Sequence, residues 1–376
     1  MDFSLSEEQV MLSDMATRMF ANEHDWQVRK HVLADPAYTP PSLWGQLSDL
    51  GLLGIYMDEE ASVQDRAVAA HLVCTAMGKS LALEPFVSTA VMAASILGSG
   101  AVSPANKAML AAIQAGRAKV ALALLETRSG FELANIGLTA TQVENGYLIS
   151  GRKIAVIDGP GASHVLVSAR TSGKPGDRKG VTLFLINRDT SGLTVSSSVA
   201  IDGTPLAAIS FENVEVPAAS LAGELHEGLD LLETAVNHGR SAMLSEAVGA
   251  MDRLLELCVE YLNTRVQFGQ KLAQFQVMQH HIADFYTAVE QSRSMALLAI
   301  RALTDPDQMQ QKKLLAAACC TVGKASLLAG ELAVQMHGGV GMSDELSVGH
   351  YFRRLIFLDD CWGNAEYNAR LYAALN

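Results

Sequence analysis

Between residues 118 and 225 the chain changes its hydrophobic period, and this constrains the fold more than any other feature. On either side of that segment apolar residues recur every three or four positions, as one face of a helix requires. Within it, short apolar runs are separated by turn pairs. Asn145-Gly146 stands between Thr139–Val143 and Tyr147–Ser150, which reads as a hairpin. Val165, Val167 and Ala169 alternate with other residues, as do Val181, Leu183 and Leu185, and Ser191-Gly192 and Asp202-Gly203 mark further turns. The order predicts an N-terminal helical domain over 1–117, a β domain over 118–225 and a helical bundle over 226–376, an α+β fold that is mainly α.

In the first block, Ser6 and Gln9 read as a capping box for a helix running to about Ala21. Gly51, flanked by Leu47, Leu50, Leu52 and Leu53, reads as a helix end. Ala67–Leu83, Thr89–Gly98 and Lys107–Ala115 are further helical segments, and Pro40, Pro85 and Pro104 fall between segments. In the last block, Leu232, Val236, Gly239, Met243, Ala247, Ala250, Leu254, Cys258 and Leu262 follow steps of three and four. Further helices are predicted from Phe275 to about Leu303, Gln308 to His337 and about Leu346 to Asp360, with another starting near residue 364. Long amphipathic helices with short links suggest a bundle.

The net charge is −12, from 28 basic and 40 acidic residues, so the chain lacks the basic face of a nucleic-acid binder. Any anionic ligand must be met by a local cluster of donors. Five cysteines without a C-x-x-C pair read as reduced thiols rather than a disulfide framework. The opening MDFSLSEEQ has acids where a secretory signal needs bases. Leu314–Val334 is the most apolar window, but Lys324 and Glu331 interrupt it, which predicts a buried helix. These features predict a cytoplasmic protein that neither enters a membrane nor binds nucleic acid.

Three local motifs have chemical potential. Arg265-Val-Gln-Phe268-Gly269, with Phe275-Gln276 after it, places a guanidinium, an aromatic ring and an amide at one helix–helix corner. Arginine suits phosphate and the ring suits a planar base, although a capped helix end would look the same. Gln335-Met-His337-Gly338-Gly339-Val-Gly341 supplies backbone N–H groups that an anion can approach, or else a helix cap and a turn. Glu126-Thr127-Arg128-Ser129-Gly130 is a polar turn after the apolar run Val120–Leu125, and reads more readily as a solvated loop than as a cleft wall. The pair His280-His281 lacks a third metal ligand at suitable spacing, so no metal site is predicted.

The order of these pieces resembles the acyl-CoA dehydrogenase family along the whole chain. The segments carrying the resemblance are MDFSLSEEQ, Gly151-Arg-Lys153, YLNTRVQFG over Tyr261–Gly269, FQVMQHHIADF and QMHGGVG. The resemblance implies an N-terminal helical domain, a middle β-barrel and a C-terminal four-helix bundle. It implies that FAD removes two hydrogens from an acyl-CoA thioester, giving the 2-enoyl-CoA, and that an electron-transfer flavoprotein reoxidises the flavin. By the same resemblance Arg265, Phe268 and Gln276 hold the adenosine diphosphate end of FAD across a subunit interface. Gln335, Gly338 and Gly339 hold it from the neighbouring chain, and Asn364 joins the cofactor set. A dimer, usually a dimer of dimers, is implied.

The departures concern the base. Most family members carry a glutamate in a Tyr-Glu-Gly-Thr segment, which falls here on Cys361-Trp362-Gly363-Asn364, so Trp362 stands where the base would be. Some members place it just before an arginine matching Arg240, where this chain has Gly239. Leu125-Glu126-Thr127 replaces the family's Thr-Glu-Pro, and Ala155-Val156-Ile157 its Trp-Ile-Thr, which removes a hydrogen-bond donor to the flavin. Glu246 is the carboxylate best placed to compensate. It lies seven residues beyond Gly239, within ~20° of it around the helix and ~10 Å along it. It reads as a general base in an apolar cleft, or as an ion pair with Arg240 or one of Arg353-Arg354. Asp359 and Asp360 are weaker candidates. The pattern resembles dehydrogenases of bacterial steroid side-chain and dicarboxylate breakdown, some of which are heterotetramers. Three readings follow: a self-sufficient FAD-dependent dehydrogenase, as a homotetramer; a non-catalytic half-site subunit of a heteromer; or, behind these, a flavin monooxygenase or oxidase on the same fold.

Overall fold

The computed structural model of the chain describes residues 5–24, 26–34, 43–99, 103–361 and 363–375. Pro40 and Trp362 lie outside them. By packing, the chain divides into two compact units, one of residues 1–43, 61–83 and 240–376, the other of 44–60 and 84–239.

Helix α1 (Glu7–Glu23) begins with the expected capping box: Gln9 N–H donates to Ser6 Oγ at 3.2 Å and Ser6 N–H to Gln9 Oε1 at 3.0 Å. Helices α2 (Trp26–Ala34) and α3 (Leu43–Asp49) follow, then Gly51 at φ +73 and a 3-10 turn over Leu52–Met57. A second capping box, Ser62 with Asp65, starts α4 (Val63–Ser80). The plain helix expected over Thr89–Gly98 is instead a π-helical turn, Phe86–Ala93, running into α5 (Ala94–Leu97). All eight residues of the turn are buried, so no polar side enforces a 3.6-residue period. Helix α6 (Pro104–Gln114) closes the first block.

Seven strands form one curled sheet: β1 (Val120–Ala123), β2 (Thr139–Val143), β3 (Gly146–Ile157), β4 (His164–Arg170), β5 (Val181–Asn187), β6 (Leu193–Val199) and β7 (Pro205–Pro217). The order is β1-β4-β2-β3-β7-β6, with β5 on β4. The β2–β3 hairpin pairs Val143 with Gly146, so its two loop residues are Glu144-Asn145, one position earlier than the Asn-Gly signal implies. Gly146 is needed for another reason: a Cβ there would lie 2.1 Å from the Val216 carbonyl of β7. Register shifts at Ile149/Gly151 and Lys153/Val156 bend β3, and Ala155 sits at φ +49 in the second shift. Ile149, Val165, Phe184, Ile209 and Phe211 fill the core beneath the sheet.

The last block holds α7 (Gly228–Thr264), a miniature hairpin of β8 (Val266–Gln267) and β9 (Gln270–Lys271), then α8 (Gln276–Ala302), α9 (Gln308–His337), α10 (Val348–Asp360) and α11 (Ala365–Ala374). Helix α9 packs against α8, α10 and α11. It is the apolar helix noted above, long enough to cross a membrane, with half of its most apolar window buried inside the fold. Phe285, Leu315 and Leu355 are among its buried neighbours and members, each contributing roughly 1.5–3 kcal/mol. Helices α4 and α7 touch backbone to backbone. A Cβ on Gly78 would lie 2.0 Å from the Glu246 carbonyl, and one on Gly249 2.0 Å from that of Thr75.

Candidate active site

The Arg265 corner is a turn standing out from the bundle. Helix α7 stops at Thr264, and Gly269 is the second residue of the β8–β9 turn rather than a helix cap. Phe268 and Gly269 sit at φ +53 and +83, the pair of left-handed values that a two-residue hairpin needs. A phenylalanine there is strained, and its side chain is 91% exposed. It meets only the edge of Phe275, at 6.2 Å between ring centres. Its exposed ring therefore contributes little to the packing of the fold. Arg265 is exposed, and among the described residues no carboxylate pairs with its guanidinium. Gln276 is the exposed first residue of α8.

The glycine turn lies at the same end of the bundle. Tyr261 on α7 stacks on His337 at the end of α9, with ring centres 4.3 Å apart. His337 Nδ1 meets the Ala333 carbonyl at 2.8 Å, and burial pushes its pKa down. This neutral stack ties the stem of the Arg265 turn to the start of Gly338-Gly339. Gly338 is at φ +63, and a Cβ on either glycine would meet nothing within 4 Å. Gln335, Gly338 and Gly339 are exposed. An open backbone cradle, an arginine without a counter-charge and a presented ring fit an anionic ligand carrying a planar group. Asn364 is differently engaged. It is the N-cap of α11, its Oδ1 accepting from Tyr367 N–H at 2.9 Å.

The positions of Gly239 and Glu246 are closed; that of Trp362 lies outside the described residues. Beside Gly239, the space a side chain would take holds Met92, whose sulfur lies 2.6 Å from a Cβ built there. Glu246 is 1% exposed, and Arg354 of α10 donates to its Oε1 from Nε at 2.7 Å and from Nη2 at 2.6 Å. Of the two roles open to Glu246, its surroundings are those of the ion pair. The negative charge also helps raise the pKa of the buried Cys74 thiol, after burial itself. Asp359 caps α11 by accepting from Ala365 N–H at 3.0 Å, and burial lifts its carboxyl to about 6. It lines a small cavity with Arg240, Gly323 and Gly363. Asp360 is exposed.

Two arrangements escape the motif reading. Tyr56 Oη and His238 Nδ1 share a 3.0 Å hydrogen bond beside Gly239, both side chains buried. In the β unit, Glu126 is no solvated loop residue: Gly137 and Leu138 N–H donate to its carboxylate at 2.9 and 3.1 Å. Lys153, fully buried, donates to Glu126 at 2.8 Å, to the Leu124 carbonyl at 3.0 Å and to Ser168 at 3.1 Å. Burial pushes its ammonium down to about 8 despite the carboxylate. The clamp fixes the loop between β1 and β2. Its sequence traces are the G-x-K spacing and the polar turn at Glu126.

Three family profiles match in order: the acyl-CoA dehydrogenase N-terminal domain over residues 6–115, the middle domain over 121–214 and the C-terminal domain over 226–374. Isovaleryl-CoA dehydrogenase, mitochondrial, from Solanum tuberosum is 27% identical over 83% of this chain and 76% of its own. Probable acyl-CoA dehydrogenase YngJ of Bacillus subtilis (strain 168) is 27% identical over 97% of both chains. The solved Tcur3481-Tcur3483 steroid ACAD G363A variant superposes with a TM-score of 0.87 at 26% identity, covering 99% of this chain and 98% of that one. Matched in order by all three domains, the chain belongs to the acyl-CoA dehydrogenase family of oxidoreductases.

Proposed function

We propose that this chain is the half-site subunit of a heteromeric acyl-CoA dehydrogenase. It holds the adenosine diphosphate end of FAD, while a homologous partner chain supplies the base that removes the α proton of an acyl-CoA thioester. The observation carrying this reading is the closure of the base positions: Met92 fills the space beside Gly239, and Glu246 is committed to Arg354. A carboxylate paired with arginine and shut from solvent is a poor proton acceptor, because the guanidinium stabilises its charged form. The likeness to a structure named for Tcur3481 and Tcur3483 supports a two-chain assembly.

FAD, when bound, would take the β hydride of the substrate and pass the electrons to an electron-transfer flavoprotein. The rest falls to the protein. Arg265 would meet the pyrophosphate charge and Phe268 would offer a face to the adenine, while the Gly338-Gly339 backbone of the neighbouring chain would allow close approach. Gln335 and Gln276 contribute amides at the same end. Lys153 and Glu126 hold the β1–β2 loop in one conformation.

The test mixes acyl-CoA thioesters anaerobically with the chain, reconstituted with FAD and desalted, alone and with its homologous partner. Flavin bleaching is expected only in the pair. Bleaching by the lone chain that vanishes in Glu246→Gln would overturn the half-site reading and restore Glu246 as base. A self-sufficient enzyme has one other observation in its favour, the raised carboxyl of Asp359 beside Arg240. Bleaching by the lone chain that survives Glu246→Gln and vanishes in Asp359→Asn would select that second reading.

A further inference from the structure

A cleft of about 620 Å³ opens among α1, α4, α7 and α8, all within the unit that contains the bundle. It shares no lining residue with the Arg265 corner or the glycine turn. Its volume is that of a small-molecule site. Val68, Leu72, Ala76, Leu297 and Ile300 give it an apolar wall. Lys79, Arg293 and Arg301 line it too. Asp252 takes Arg293 at 2.8 Å and Lys79 at 3.8 Å, and Glu290 takes Arg293 at 3.5 Å. Asp65 is tied into the α4 capping box with Ser62. Arg301 donates to Thr304 Oγ1 at 2.8 Å, and among the described residues no carboxylate pairs with it. A surplus cation beside an apolar wall is notable in a chain of net charge −12.

The cleft also presents one defined acceptor. Ser245 Oγ donates to the Ser241 carbonyl at 2.9 Å, so its remaining bond, 2.8 Å from His71 Nδ1, is an acceptance. His71 therefore carries its proton on Nδ1, and Nε2 has a lone pair. Burial first, and the charge of Arg293 second, push His71 down to about 4. The other charged groups near it are Asp65 and Lys79 on α4, Asp252 on α7 and Arg301 on α8.

We propose that this cleft binds an amphipathic anion, a carboxylate or phosphate head on a short apolar tail. The head sits at Arg301 and Arg293, and the tail lies along Leu72, Ala76, Leu297 and Ile300. An anion beside Arg293 offsets its charge, the second cause after burial that holds His71 neutral, so binding raises the histidine pKa and is favoured as pH falls.

The test is titration calorimetry of the full chain with sodium decanoate, decyl phosphate and inorganic phosphate, below micelle formation. One amphiphile at least is expected to bind saturably at one per chain, and the tighter of the two identifies the head. Arg301→Ala, at a half-buried position whose loss leaves the fold intact, is expected to weaken binding at least about tenfold. Leu297→Glu is expected to do the same by placing a charge against the tail. NMR of the His71 ring is expected to show its pKa rising on saturation. The proposal is overturned if neither amphiphile binds, if inorganic phosphate binds as tightly, or if Arg301→Ala leaves affinity unchanged. Such a failure leaves the reading of the Arg265 corner intact, since the two share no residue.

Discussion

Arg265 and Arg354 are both arginines of the C-terminal helical region, and they do opposite work. Arg354 is buried and closes on Glu246 through two donors at 2.6 and 2.7 Å. Arg265 stands exposed beside a strained phenylalanine and an open glycine turn. The first arginine has its counter-charge inside the chain and serves the fold. The second faces outward with its donors uncommitted, as the proposed cofactor role requires. The same contrast separates the carboxylates. Glu246 is buried, and its burial comes with Arg354 as an ion-pair partner.

The largest effect should come from breaking the closed pair. Arg354→Ala leaves an uncompensated buried carboxylate and is expected to cost about 3–5 kcal/mol in calorimetric unfolding. A loss below about 1 kcal/mol would mean that solvent screens the pair, and the contrast with Arg265 would collapse. Arg265→Ala is expected to change stability by no more than about 0.5 kcal/mol while weakening flavin retention by about ten- to a hundredfold. Unfolding in place of flavin loss would make Arg265 a structural residue. The clamp in the β unit sharpens the comparison, because its lysine titrates within reach. Lys153 is pushed down to about 8, so between about pH 8 and 10.5 the unfolded chain holds a proton that the folded chain has released. Stability from this group should rise with pH across that window, and Lys153→Met should abolish the rise. Equal pH slopes for parent and variant in urea unfolding would sink this. The smallest change is at the turn tip. Phe268→Gly relieves the left-handed backbone and should stabilise by at most about 1 kcal/mol, with weaker flavin retention despite the gain.

The helices and strands were legible because their period follows from which face is buried. The end of α9 and the start of α7 fall within a few residues of the apolar pattern. The π-helical turn at Phe86–Ala93 was not, because a run buried on every side has no face to read. The Arg265 corner was legible as chemistry but not as shape: the sequence placed a guanidinium, a ring and an amide together, yet the hairpin that presents them is only two residues per strand. The partner of Glu246 was open among three arginines, since the choice depends on how α10 packs against a helix more than a hundred positions earlier. Met92 beside Gly239 was invisible for the same reason. No local pattern links a π-helical turn to a glycine on another helix.

The contact between α4 and α7 admits no methyl group at Gly78 or Gly249. It joins the backbone beneath Glu246 to its neighbour without using any side chain that chemistry would need. The scaffold and the reaction are in that sense insured separately. Under the proposed half-site role, a chain of this kind would lose its proton-removing group without losing this backbone contact.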